Sequence, residues 1–186
     1  MRRTNFVVHA QWICSLATNR PRSALALAGE GPNLRKDITM SDTYVPMISS
    51  GTAGPLGVLH LPRLWQKVSL EAQGKIAAGY PGMGRGYDAM TCAALGLNEE
   101  AVTDYIKQNK PTYPQFEAWV KTNAKTLNKE AIEKHNAAVR GYIHDDETRK
   151  EILGCCGLTD DASAPKDAVN LNNLDDWQGF HEAVLK

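Results

Sequence analysis

The sequence lacks net charge: 21 Lys and Arg balance 21 Asp and Glu. A balanced chain gives no electrostatic reason to bind DNA, RNA or an anionic membrane surface. No apolar run reaches the roughly 18 residues of a transmembrane helix, so a membrane span is not expected. Cysteine is sparse, and Cys14, Cys92, Cys155 and Cys156 follow neither a zinc-ligand spacing nor a disulfide framework. The adjacent Cys155 and Cys156 are poorly placed to bridge each other, and no neighbouring base would lower a thiol pKa. They read as reduced thiols of a cytoplasmic protein. Strand-like alternation is scarce, and no repeat of fixed spacing stands out. His135 and His144 are not at metal-ligand spacing, and the residue order yields no Ser-His-Asp or Cys-His constellation. No metal or cofactor is therefore expected.

What is present divides unevenly. Arg2, Arg3, Arg20 and Arg22 all precede the first acid, Glu30. His9 and Gln11 interrupt what would be the apolar core of a secretory signal. "MSDTYVPM" from Met40 has the form of a protein start. Arg35-Lys36, encodable by purine-rich codons, stands where a ribosome-binding site would lie. Residues 1–39 are therefore expected to be a non-native leader or extension. Residues 40–60, rich in Ser, Gly, Pro and Thr, read as an extended arm laid across the remainder by Val45, Met47, Ile48 and Leu56. Residues 61–186 read as a helical domain.

Within that domain, Leu61, Leu64, Trp65, Val68, Ala72 and Ile76 recur at helical spacing, with Pro62 in the first turn and Gly79 as the stop. A second helix is expected from Tyr87 to Leu95, ended by Gly96. Asn98 and Asn128 are in N-cap positions, and Thr112 with Gln115 forms a capping box. A further helix should start near Asp145 or Asp146. "TDDASAPKDAVNLNN" reads as a polar loop, followed by a last helix from Asp175 to Leu185 with Trp177, Phe180, His181, Val184 and Leu185 on its packed side. The expected fold is all-α, a compact array of about seven helices with an extended N-terminal arm.

The order of several short motifs carries a resemblance. Leu56-Gly57, "LPRL" at 61–64, Lys67, "GKI" at 74–76, Asp88, "LGL" at 95–97, Trp119 and Asn136 resemble the bacterial domain-of-unknown-function family 5069. The resemblance spans roughly Leu56 to Val139. It implies a small bacterial protein, and it supplies no catalytic residues.

The most conspicuous stretch is "GYPGMGRGYD", Gly79 to Asp88. Its glycines miss the dinucleotide spacing and follow a helix rather than a strand, and the Lys-Ser/Thr of a P-loop is absent. Two readings remain. It is a tight inter-helix turn with glycines at positive φ, or an anion site at a helix start with Arg85 beside it. Asp88 weighs against the anion, since it would take the free amides itself. Arg63 and Lys67, four residues apart, share a face that is either solvated or able to hold a carboxylate or phosphate. Arg63 paired with Asp88 would instead tie two helices together. Asn136 falls in an apolar stripe with Ile132, Val139 and Ile143, and it must satisfy backbone groups nearby or line a pocket.

Two functions compete. The first is a non-enzymatic binding or interaction protein of the bacterial cytoplasm, acting on a protein partner or a second copy. The second is a small-molecule binder or small enzyme whose ligand would meet Arg63, Lys67, Tyr80, Arg85, Tyr87, Asp88 and Asn136. A helix-turn-helix contact with nucleic acid is disfavoured by the charge balance.

Overall fold

A computed structural model describes residues 43–186. The leader expected over 1–39 lies outside the described residues. Among these there are seven α-helices and no named strand: α1 Leu61–Ala72, α2 Tyr87–Leu95, α3 Glu99–Asn109, α4 Tyr113–Asn123, α5 Lys129–Arg140, α6 Asp146–Cys155 and α7 Ala168–Phe180. A π-helical turn, His181–Leu185, continues α7.

The helix starts follow from local chemistry. Asn98 Oδ1 accepts from Ala101 N at 2.8 Å and Asn128 Oδ1 from Ala131 N at 2.9 Å. Gln115 Oε1 reaches back to Thr112 N at 2.9 Å, and Asp145 Oδ1 accepts from Thr148 N at 2.8 Å. Each satisfies a backbone donor that the first turn leaves open.

Two boundaries differ from expectation. The first helix ends at Ala72, not Gly79, because Gly74 turns the chain at φ 63°. Lys75 O then accepts from Tyr44 N at 2.7 Å, and Ala77 N donates to Tyr44 O at 2.9 Å. Pairing with the arm replaces the helical ladder. At the other end α7 begins seven residues early, inside the expected polar loop. Asp167 caps it by accepting from Asn170 N at 2.9 Å, and Ala168 and Leu171 are fully buried. A cap and two apolar contacts outweigh the low helix propensity of Asn170, Asn172 and Asn173.

The main core gathers Val58, Leu61, Leu64, Val68, Cys92, Leu95, Val102, Ile106, Phe116 and Val120, from the arm and α1 to α4. Ile152, Leu153 and Leu171 form a smaller cluster between α6 and α7. The arm is fastened to α1 along its length: Ile48 N donates to Gln66 Oε1 at 3.0 Å, and Ala53 bridges Leu59 to form a tight return. α1 is consequently covered on several sides, by the arm, α2, α3 and α4. No helix among the described residues is long and apolar enough to cross a membrane.

Candidate functional site

The burial of α1 extends to its polar face. His60, the residue before the helix, and Arg63 and Lys67 recur at helical spacing, and they are only 2%, 7% and 7% exposed. Burying two cations without partners is prohibitive, so the surrounding elements must supply acids. α2 supplies Asp88 and α7 supplies Asp176, both 2–3% exposed. Two positive and two negative side chains make the seam formally neutral.

Lys67 Nζ donates to Asp88 Oδ2 at 2.5 Å, and His60 Nε2 lies 2.8 Å from Oδ1. Gly84 N adds a third bond to Oδ2 at 2.8 Å. Burial opposes ionisation of Asp88, but the His60 hydrogen bond and the Lys67 ammonium outweigh it and hold the carboxyl below the usual range. Burial also pushes the His60 imidazole below its ordinary value against the pull of Asp88. A neutral His60 therefore donates from Nε2 to an ionised Asp88, with its Nδ1 buried and unpartnered. His60 holds this place at φ 68°, a left-handed conformation that is uncommon outside glycine. Its backbone N is fixed on Thr52 O at 3.1 Å, and its ring lies 5.3 Å from that of Tyr87.

Arg63 serves the other half of the seam. Its two terminal nitrogens meet Asp176 at 2.7 and 2.9 Å, a bidentate pair. Nη1 also donates to Pro46 O at 2.8 Å and Ile48 O at 2.9 Å. One side chain thus joins α1, the arm and α7. Arg63 does not pair with Asp88; Lys67 does. The contact between α1 and α2 exists, but the residue a turn further on makes it.

The glycine loop has its own logic. Of its four glycines only Gly79 has positive φ, at 88°, so the expected conformational role applies there alone. At Gly82 a Cβ would stand 2.5 Å from the Glu71 carboxylate, and at Gly84 it would stand 3.0 Å from Asp88 Oδ2. Those positions need glycine for closeness. Gly82 N donates to Glu71 Oε1 at 3.0 Å, so both loop amides are taken up by the chain's own carboxylates.

The remaining candidates separate. Arg85 is exposed, and it does not meet Asp88, whose partners are His60, Lys67 and Gly84. Tyr87, half-buried, donates its hydroxyl to Val139 O at 2.9 Å, and burial raises its phenol pKa. Tyr80 lies on the Asp176 side, where burial, then the carboxylates of Asp176 and Asp175, raise its phenol. Asn136 clamps the arm: Nδ2 donates to Gly57 O at 2.7 Å and Oδ1 accepts from Leu59 N at 2.9 Å. Arg63, Lys67, Tyr87 and Asp88 therefore share one buried neighbourhood with Tyr80 at its α7 end. Arg85 stands outside it, and Asn136 faces the arm rather than the loop. Ile143 of the supposed stripe is 64% exposed and follows the end of α5.

Sequence reasoning missed His60, Asp176 and Glu117. His60 carried one signal, its place just before Leu61-Pro62. Asp176 is 113 residues from Arg63, and it carried none. Glu117 is 4% exposed and accepts from Leu56 N at 3.1 Å and from the Tyr113 hydroxyl at 2.7 Å. It binds the arm to α4.

Residues 49–169 match the family described as Domain of unknown function (DUF5069). The chain belongs to this family. No curated protein matches it significantly. The DUF5069 match contains His60, Arg63, Lys67, Asp88 and Asn136, and it stops before Asp176. The Arg63–Asp176 clamp therefore joins the matched region to the end of the chain, as does the packing of α7.

A second acid beside that clamp gives a pH prediction. Asp175, half-buried, has its carboxyl pushed up to about 6 by burial first and by Asp176 next, with Arg63 opposing. A group raised in the folded state contributes stability below its unfolded value of 3.8 and loses it as pH rises through the folded value. Asp175→Asn is expected to raise stability at pH 7 by about 1–2 kcal/mol. It should also flatten the fall in stability between pH 4 and pH 6. Urea midpoints across that range check it, and an unchanged slope would refute it.

Proposed function

We propose that this DUF5069 protein is a non-enzymatic binding protein of the bacterial cytoplasm, and that it engages a protein surface through the end of α7. The observation that carries the reading is an uncovered apolar face. Trp177, Phe180, Val184 and Leu185 are 56%, 37%, 58% and 65% exposed. The expectation that this side would pack inward, with His181, does not hold: all six residues from His181 to Lys186 are exposed. Asp176, one turn before Phe180 at the edge of that face, is the residue that turns inward to Arg63. A contiguous exposed apolar face marks an interaction surface more often than a scattered leucine does. Tyr44 and Met47, also exposed, flank the buried Val45, which lies against Gly179.

The buried seam supports the same reading. Asp88 has three donors, and Arg63 has three acceptor groups. Such saturated pairs hold elements together and have little capacity left for a ligand. The alternative, a small-molecule site at residues 79–88, rests on Arg85 as an uncommitted cation beside the loop. The internal use of the Gly82 and Gly84 amides argues against it. The cytoplasmic placement is supported by Cys92 and Cys156, which are free thiols.

A photoreactive amino acid at position 177, irradiated in cells, tests the proposal. Covalent adducts with protein are expected there, and none from the same probe at position 85. Adducts at 85 alone, or a thermal shift with a metabolite that is lost in Arg85→Ala, would replace this reading with the small-molecule one.

A further inference from the structure

We propose that α7 is a pH-sensitive element: ionisation of Asp175 loosens α7 from the rest of the chain as a unit, while the main core stays closed. This concerns the inner side of α7, whatever meets its outer one. The attachment of α7 is thin in apolar contacts. The cluster beneath it has three buried residues, Ile152, Leu153 and Leu171, and shares none with the main core. Its other holds are polar or close-fitting. Arg63 grips Asp176, and Ala168 N donates to Tyr142 O at 2.9 Å. Gly179 lies three residues after Asp176. A Cβ there would stand 3.1 Å from the Tyr80 hydroxyl and 3.7 Å from Val45. An element with so little apolar cover opens before the core does.

The charges at this seat do not balance. Asp175 and Asp176 on α7 and Glu151 on α6 gather around one guanidinium, that of Arg63. Arg63 spends both terminal nitrogens on Asp176. Lys67 also acts on Asp176, but its ammonium is committed to Asp88. Asp175 therefore feels the guanidinium only at a distance, with no side-chain hydrogen bond or ion pair of its own. Protonated, it leaves Asp176 and Arg63 as a matched pair. Ionised, it places a half-buried charge between two acids. Burial first and Asp176 next push its carboxyl up to about 6. Tyr80 from the glycine loop and Cys156 at the end of α6 also face it, and Glu182 faces Cys156. Burial raises both the phenol and the thiol, so both stay neutral through this range. A carboxyl raised in the folded form weakens that form as pH rises through its folded value. The loosening thus comes with rising pH.

Hydrogen exchange of the full chain in low urea, at about pH 5 and about pH 7.5, is the test, with rates corrected for intrinsic exchange. Ala168 N and Leu171 N, the latter held on Asp167 O at 3.1 Å, report α7; Leu64 N, held on His60 O at 2.9 Å, reports the main core. A released α7 of 13 residues is too short to stay helical alone, so its amides exchange on opening. The α7 amides are expected to exchange through an opening that urea barely promotes, and Leu64 N through one that urea promotes strongly. From the lower to the higher pH the α7 opening should become about five- to tenfold more populated. In Asp175→Asn that rise should vanish. His144 also meets α7, with Nε2 2.9 Å from Asn172 Oδ1, and it is intact in the variant. A rise that survives Asp175→Asn would therefore overturn the assignment to Asp175. Equal urea dependence of the α7 amides and Leu64 N at both pH values would overturn the separate opening.

Discussion

Asp88→Ala is expected to destabilise the protein by about 3–5 kcal/mol and to lower Tm by roughly 10 °C. The cause is what remains. Lys67 is buried with its ammonium aimed at Asp88, and His60 donates from Nε2 to the same carboxylate. Without that carboxylate, one buried cation and one buried N–H are uncompensated, and Gly84 N loses its acceptor. Removing one partner costs more than the intact pair contributes. Lys67→Met combined with Asp88→Asn separates these effects. It removes both charges and keeps an oxygen for His60, so much of the loss should return. Urea unfolding of the four members of the cycle gives the coupling. A single Asp88→Ala loss below about 1 kcal/mol would mean that the seam is solvated and not a lock.

The same carboxylate fixes the acid limb of the stability curve. Its folded pKa is depressed below the ordinary value of 3.8. Its contribution is therefore complete above that value and disappears as pH falls through the folded one. Stability should decline below about pH 4, and Asp88→Asn should make that limb shallower.

How much of this was legible in the sequence depends on how far apart the partners lie. Asn98, Asn128, Thr112 with Gln115, and Asp145 act within one turn of themselves, and the residue types alone announced them. The apolar period of α1 was equally plain, since Leu61, Leu64 and Val68 face one core. The C-terminal helix was misread because its buried side is marked by only Ala168 and Leu171 among asparagines, while its larger apolar residues are on the open side. Hydrophobic size therefore pointed the wrong way. In the glycine loop the spacing argued against a nucleotide cradle. It gave no sign that Gly82 and Gly84 are close to Glu71 and Asp88, because closeness belongs to the packing. The partner of Arg63 was beyond reach for the same reason: several carboxylates were available, and only the docking of α7 selects Asp176.

That selection makes Arg63 the residue whose loss should be felt furthest from its own position. Arg63→Ala leaves Asp176 buried without a cation and leaves Pro46 O and Ile48 O without a donor. The expected cost is about 3–5 kcal/mol, with a local signature that Asp88→Ala does not share. Tyr44 N and Ala77 N, which pair the arm with the segment after α1, should exchange with solvent faster than the core of α1 does. Ala168 N, held on Tyr142 O at 2.9 Å at the start of α7, should follow. Arg63→Lys separates charge from shape. An ammonium can neutralise Asp176, but it cannot span both carboxylate oxygens and both arm carbonyls at once. About half the loss should remain, with the arm amides still fast. Hydrogen exchange resolved by residue reads the difference. Protection of the 44–48 amides equal to that of the native chain would show that the arm is held by Gln66, Glu117 and Asn136 alone.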